Sequence, residues 1–131
     1  MRNKKGIALI LAMFILVFIS ILAVAFLWLI TSDLMIASNH LGRLKALYIA
    51  ESGVEHAVSL LRASGNQVLN LTIPFPDSNS SYTVTKAASS RVITSVGNID
   101  NKFQATIEAM VSIRQASGYW TVKIVSFRET G

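Results

Sequence analysis

From residue 7 to residue 30 the chain carries twenty-four positions with Ser20 as the only clearly polar side chain. A helix that is apolar on every side has no face to offer water, so such a run suits lipid or a packed core. At 1.5 Å per residue it spans roughly 36 Å, enough to cross a hydrocarbon layer of about 30 Å. From Asp33 the pattern changes without a break. Leu47, Ala50, Val54, Ala57, Val58 and Leu61 follow the i, i+3, i+4, i+7 rule for one helix face, and Lys45, Glu51, Glu55, Ser59 and Arg62 lie largely off that stripe. No proline occurs before Pro74. Gly42 and Gly53 each weaken a helix by about 1 kcal/mol relative to alanine and offer places to bend. The pattern predicts one helix over residues 7–64, apolar all round in its first half and on one side in its second. Ser64, Gly65 and Asn66 form its stop signal.

Beyond the helix, residues 65–81 read as a connector, with Pro74, Pro76, Asp77 and several serines and asparagines. Strands are expected over residues 82–86 and 91–96, with a turn over 97–101. Strict alternation follows: Phe103, Ala105, Ile107, Ala109, Val111 and Ile113 share one face, and Gln104, Thr106, Glu108 and Ser112 the other. Ala116, Ser117 and Gly118 turn the chain. Residues 119–128 close the sheet, with Trp120, Val122 and Ile124 on its inner face. The expected fold class is α+β: a long N-terminal helix continuing as the spine of a small head with an antiparallel sheet of about four strands. The expected organisation is a flank over 1–6, an apolar helix half over 7–32 and a head over 33–131. Within the head the helix covers 33–64, the connector 65–81 and the sheet 82–129.

Composition sharpens this division. Hydrophobic residues make up 52 % of 131 and charged residues 15 %, and the excess sits in the first helix half. The formal charge of +5 belongs largely to Arg2, Lys4 and Lys5; without them nine basic residues face seven acids. Positive residues flanking a span stay on the cytoplasmic side, so the chain beyond residue 30 is expected to be exported. Cysteine is absent, so no disulfide staples the head. From Gly65 onward six basic residues face four acids, with no ordered stripe of Arg or Lys among aromatics, which makes nucleic acid an unlikely partner.

The junction Lys4-Lys5-Gly6 opens directly onto the apolar run. Three readings of it compete. A secretory signal would use Ala23-Val24-Ala25 as an A-x-A site, but the apolar run continues through residues 26–30, where such a signal turns polar. An uncleaved anchor is the plain alternative. The third reading rests on both sides of Gly6. Lys-Lys-Gly followed at once by a long apolar helix resembles the class III leader of type IV pilins and pseudopilins. The segment ALYIAESGVEHAVSLL, residues 46–61, resembles the helix segment of PilX-like minor pilins and related pseudopilins. The resemblance covers the first sixty-odd residues and implies cleavage between Gly6 and Ile7 by a prepilin peptidase on the cytoplasmic face. It further implies N-methylation of Ile7 and retention of the apolar run.

Candidate chemistry is sparse. His40 and His56 stand sixteen residues apart with no H-E-x-x-H pattern, and read as solvated or subunit-contact histidines. Glu51 and Glu55, at i and i+4, read as a polar helix face rather than a catalytic pair. Asn98, Asp100 and Asn101 offer oxygens at a turn without the spacing of a calcium loop, and Asx residues are what turns use. Asn70-Leu71-Thr72 and Asn79-Ser80-Ser81 match the short N-glycosylation pattern. No catalytic, metal or cofactor site is expected, and the chain reads as a structural protein.

One departure stands out against the resemblance. The fifth residue of the mature chain is glutamate in most pilins, which implies a pairing with the N-terminal amine of the neighbouring subunit. Counted from Ile7, that position is Leu11. A charge at bilayer depth costs about 2.5–3.5 kcal/mol on insertion scales; leucine avoids the cost and cannot make the pair. Subunits lacking the acid include GspK-type pseudopilins at filament tips. The resemblance therefore implies a minor pilin or pseudopilin that helps initiate or cap assembly. Its implied partners are other pilins through the N-terminal helix, the prepilin peptidase, the inner-membrane assembly platform and, before assembly, lipid. The implied location is the cytoplasmic membrane with the head exported, then a surface pilus or periplasmic pseudopilus. The competing class is a bitopic binding module whose head captures DNA or a surface ligand, with no filament. Helix–sheet packing in the head is assigned to Leu47, Ala50, Val54, Ala57, Val58, Leu61, Trp120, Val122 and Ile124.

Overall fold

A computed structural model describes residues 3–76 and 79–130. The expected leader residues Met1 and Arg2, and Asp77 of the expected connector, lie outside the described residues. One helix, α1 (Asn3–Ser64), is followed by five strands: β1 (Leu69–Pro74), β2 (Ser80–Lys86), β3 (Val92–Ile99), β4 (Phe103–Ala116) and β5 (Tyr119–Thr130). The chain divides into two compact units, Met1–Asn39 and His40–Gly131.

The first unit is helix alone. Every described side chain from Gly6 to Asn39 is exposed, because the sequence supplies no polar face and the unit holds no second element to cover the apolar one. Two of its hydroxyls bond back to the helix: Ser20 Oγ donates to Leu16 O and Thr31 Oγ1 to Leu27 O, each at 2.8 Å. This i−4 bonding gives both hydroxyls a partner within their own helix.

The second unit lays the remainder of α1 on one face of a five-stranded antiparallel meander in the order β1-β2-β3-β4-β5. Alternation decides which side of each strand is buried. Tyr82 and Val84 of β2, Ile93 and Ser95 of β3, and Ile107, Ala109 and Val111 of β4 turn inward against Ala50, Val54, Ala57, Val58 and Leu61. Leu47, Ile49, Leu60, Leu71, Ile73, Ile113 and Ile124 line the margins of this core. The helix stops where its apolar stripe stops. Gly65 takes φ +80°, and its amide reaches back to Leu61 O at 2.8 Å, closing the last turn as a left-handed cap.

Three differences from the sequence expectation have physical causes. The helix begins at Asn3, so the Gly6–Ile7 junction lies inside it. The sheet has five strands rather than about four, because β1 occupies part of the expected connector. Leu69, Leu71 and Ile73 alternate with Asn70 and Thr72, and the run pairs with β2 from Leu69↔Lys86 to Pro74↔Ser81. The flanking Asn and Pro residues masked that short period of two. Finally, Gly42 and Gly53 have a packing role that the sequence did not show, each lying where the helix touches the sheet: a Cβ on Gly42 would stand 2.6 Å from Phe103 Cδ2, and one on Gly53 would meet Ser95 Oγ and Tyr82.

Candidate functional site

The sequence directs attention to two regions, the start of α1 and the helix–sheet contact. At the start of α1, Gly6 is exposed, with nothing near its Cα face to hinder approach. Ile7 and Leu11 are about two-thirds exposed, at 65 % and 61 %, and together with Ile10 and Phe14 they form a shallow, open apolar groove. Leu11 thus presents hydrocarbon at the surface of the helix, where a glutamate would present a carboxylate. Ala8, Ala12, Ala23 and Ala25 interrupt the large side chains and leave places where another helix can approach closely.

In the head, the residues assigned to packing gather as follows. Ala50, Val54, Ala57, Val58, Leu61 and Val122 lie within one buried cluster, and Leu47 and Ile124 pack at its edge. Trp120 stands apart from that cluster. It is half-buried, and its indole lies over Gly65, where an added Cβ would stand 2.5 Å from the ring. Arg62, expected on the polar side, donates from Nη2 to Val122 O at 3.3 Å and ties the last helical turn to β5.

His56 is less open to solvent than the sequence suggested. It is half-buried, with its Nδ1 2.7 Å from Tyr82 Oη, and the two rings meet edge-on at 6.0 Å. Burial holds the Tyr82 phenol above its ordinary pKa. His40 is exposed, Glu51 half-buried and Glu55 exposed. Asp100 and Asn101 both take φ 53°, the left-handed region that Asx residues tolerate, and Asn101 Oδ1 accepts from Asn98 Nδ2 at 3.0 Å. Among the described residues, no three His, Cys, Asp or Glu side chains cluster at ligand distance.

Lys86 escaped the sequence reading. It is 2 % exposed, and its ammonium donates to Asn66 Oδ1 at 2.7 Å, Ala87 O at 3.1 Å and Gln67 O at 3.3 Å. All three donors are thereby used on neutral acceptors, and the lost hydration lowers the lysine pKa. Alternation carried the signal: Tyr82, Val84 and Lys86 occupy the same side of β2. The amine braces the segment that leaves the helix against the end of β2.

With this geometry established, the comparison with protein families becomes informative. Residues 5–55 match the family described as PilX N-terminal. The match runs from the basic flank through the fully apolar part of α1 to Glu55, and so includes both the Gly6 junction and most of the segment around Glu51 and Gly53. It supports a type IV pilin-like reading of this helix and a structural rather than catalytic protein. It leaves the sheet unmatched. Neither the curated proteins nor the solved structures compared contain a match to the chain. By length and composition α1 is able to cross a membrane, which together with the family match fits membrane anchoring.

Proposed function

We propose that the chain is a minor type IV pilin or pseudopilin, a structural subunit that helps initiate or cap a filament. The observation that carries this reading is the coincidence of three features on one helix. A Lys-Lys-Gly junction precedes a surface that is apolar on all sides, and the same helix then becomes the spine of a sheet-bearing head. The match over residues 5–55 supports it. On this reading a prepilin peptidase cuts between Gly6 and Ile7, Ile7 is methylated, and residues 7–32 pass from lipid to the filament core. The head from residue 33 is exported, and the inner-membrane assembly platform and the other pilins are its partners.

Leu11 sets the role within the filament. A subunit with no carboxylate at this position cannot receive the N-terminal amine of a neighbour, so it belongs where no neighbour offers one. Intact-mass analysis of the protein from its native host tests the processing step. Loss of residues 1–6 with a methylated Ile7 is expected; a chain starting at Phe26, or only at Met1 beside an active peptidase, refutes it. Gold labelling of the head tests the placement. Labels at one end of purified filaments are expected, and labels along their whole length would show that the missing acid does not restrict position.

A further inference from the structure

The open edge of the sheet offers a pairing that the filament role does not use. β5 is the last strand, and among the described residues no strand pairs with its far side. Pairing of β3 with β4 ends at Val92↔Met110, while β4 and β5 continue as a two-stranded ribbon to a turn at Ser117 and Gly118. One bond fixes which backbone groups of this ribbon stay unused. The Val111 amide donates to Arg91 O at 2.7 Å, so the backbone groups of Val111 point to the β3 side. Such groups alternate sides along a strand, so those of Ser112, Arg114 and Ala116 point to β5 and exchange bonds with Lys123, Thr121 and Tyr119. Trp120, Val122 and Ile124, which stand opposite Gln115, Ile113 and Val111, therefore turn their N–H and C=O groups to the open edge. Arg62 bears this out: its Nη2 reaches Val122 O at 3.3 Å, a carbonyl that the ladder has not taken and that keeps a second lone pair.

The side chains along this edge divide by face. On the helix side Val122 is buried and Trp120 and Ile124 are half-buried, and past the bulge at Val125 the row continues with Phe127, 48 % exposed. That row is apolar but only partly roofed. On the other face Tyr119, Thr121 and Lys123 are exposed. Lys123 stands opposite Ser112 and Arg114 opposite Thr121, so neither cation has an acid across the ladder. Residues 109–128 contain no Asp or Glu.

We infer that this edge accepts an extended segment of another protein as a sixth, antiparallel strand, in which apolar side chains alternate with carboxylates. A row of unused donors and acceptors selects an extended backbone. Residues directly opposite in an antiparallel pair either exchange both bonds or none, and they share a face. The incoming residues opposite Trp120, Val122 and Ile124 thus bond to β5 and lay their side chains on the helix side, where apolar ones cover the half-buried row. The alternate residues fall opposite Tyr119, Thr121 and Lys123, where a carboxylate meets the Lys123 ammonium. A second copy of the chain fits this edge poorly. Its β5 brings further cations, and its other edge strand, β1, carries no acid and ends in Pro74, which has no amide to donate.

The test uses the full chain in nanodiscs of neutral phosphatidylcholine and a fluorescein-labelled peptide of alternating valine and glutamate, about ten residues long, read by fluorescence anisotropy. On this geometry the valine amides face β5 and the glutamate amides face away. N-methylation of the valines removes the donors opposite Trp120, Val122 and Ile124 and should weaken binding about tenfold or more. N-methylation of the glutamates should leave binding unchanged. Lys123→Glu replaces an attraction with a repulsion, so it should weaken the glutamate peptide about 2- to 30-fold and favour a valine–lysine peptide instead. The position is exposed, so the variant head should melt with the parent. Four results would overturn the inference: no binding by the parent, equal loss on methylating either set of amides, parent-like binding by Lys123→Glu, or a disulfide between two copies of Thr121→Cys, which would give the edge to a second copy. None of these readouts depends on filament assembly, so their failure leaves the pilin reading standing, and the reverse holds as well.

Discussion

The helix backbone lies close against the sheet at Gly97, and adding one methyl group there tests the helix–sheet assignment. Gly97 pairs with Tyr82 on one side and Ala105 on the other, in the middle of the buried face. A Cβ built on it would collide with the carbonyl oxygen of Ala46 and stand 2.6 Å from the amide nitrogen of Ala50. Both are helix backbone, held by their own i−4 bonds, so neither can swing aside as a side chain would. Gly97→Ala therefore forces α1 away from the sheet and loosens Val54, Ala57 and Ile107 together. Overpacking of this kind costs about 1–3 kcal/mol. Amide exchange that proceeds through opening of the head should then accelerate about 5- to 150-fold in β3 and β4. Hydrogen–deuterium exchange by mass spectrometry on the full chain in nanodiscs reads this peptide by peptide. Ala50→Gly should fail to rescue the variant, because it removes only the Cβ at 3.2 Å and leaves the backbone contacts. Parent-like exchange in Gly97→Ala would mean that the helix does not rest on β3 at this point.

Val58, 2 % exposed, offers an independent probe: Val58→Asp buries a carboxylate with no cationic partner and should unfold the head, visible as loss of its melting transition. An unchanged melting temperature would show the wrong helix face has been assigned. Lys86 gives a pH signature. Its folded pKa is lowered by burial, so between that value and about 10.4 the unfolded chain binds more protons, and stability rises with pH through this window. Urea melts of the parent should gain on those of Lys86→Met from pH 8 to pH 10, and a difference independent of pH would show that Lys86 ionises alike in both states. Tyr82, whose folded pKa is raised, keeps its contribution below about pH 10 and loses it as pH climbs further, so Tyr82→Phe should flatten the parent's decline above pH 10.

What was legible in the sequence followed the strength of each period. The helical stripe from Leu47 to Leu61 and the alternation from Phe103 to Ile113 are long, so burial of Val54, Leu61, Ile107 and Val111 could be read directly. The six residues of β1 carry only three inward positions and end in proline, and so passed for loop. Lys86 was missed for a different reason. A lysine on an inward position is read as the end of a strand, whereas here three neutral oxygens from the segment after the helix and from Ala87 receive its ammonium. A sequence shows the backbone freedom of its glycines but not what approaches them. Phe103 over Gly42, Tyr82 at Gly53 and the helix backbone over Gly97 are facts of tertiary contact.

The uniform apolarity of the first helix half has a consequence for the proposed filament role. Lipid tails and packed leucines are nearly equivalent surroundings, so moving residues 7–32 from membrane to filament gains little from the hydrophobic effect. Ser20 and Thr31 already spend their single donors on their own backbone, so neither has a donor left for a neighbouring helix. Leu11 removes the one buried ion pair that the usual glutamate would supply. On the proposed reading one ion pair is left to this helix: the charged amine of Ile7 seeking the glutamate of a neighbour that has one. Such a subunit can donate one pairing and receive none. It is therefore able to join a neighbour on one side only, which is the property a first or last subunit needs. Leu11→Glu would make the contact two-sided, and should move the protein from filament ends to internal positions without altering the fold of the head.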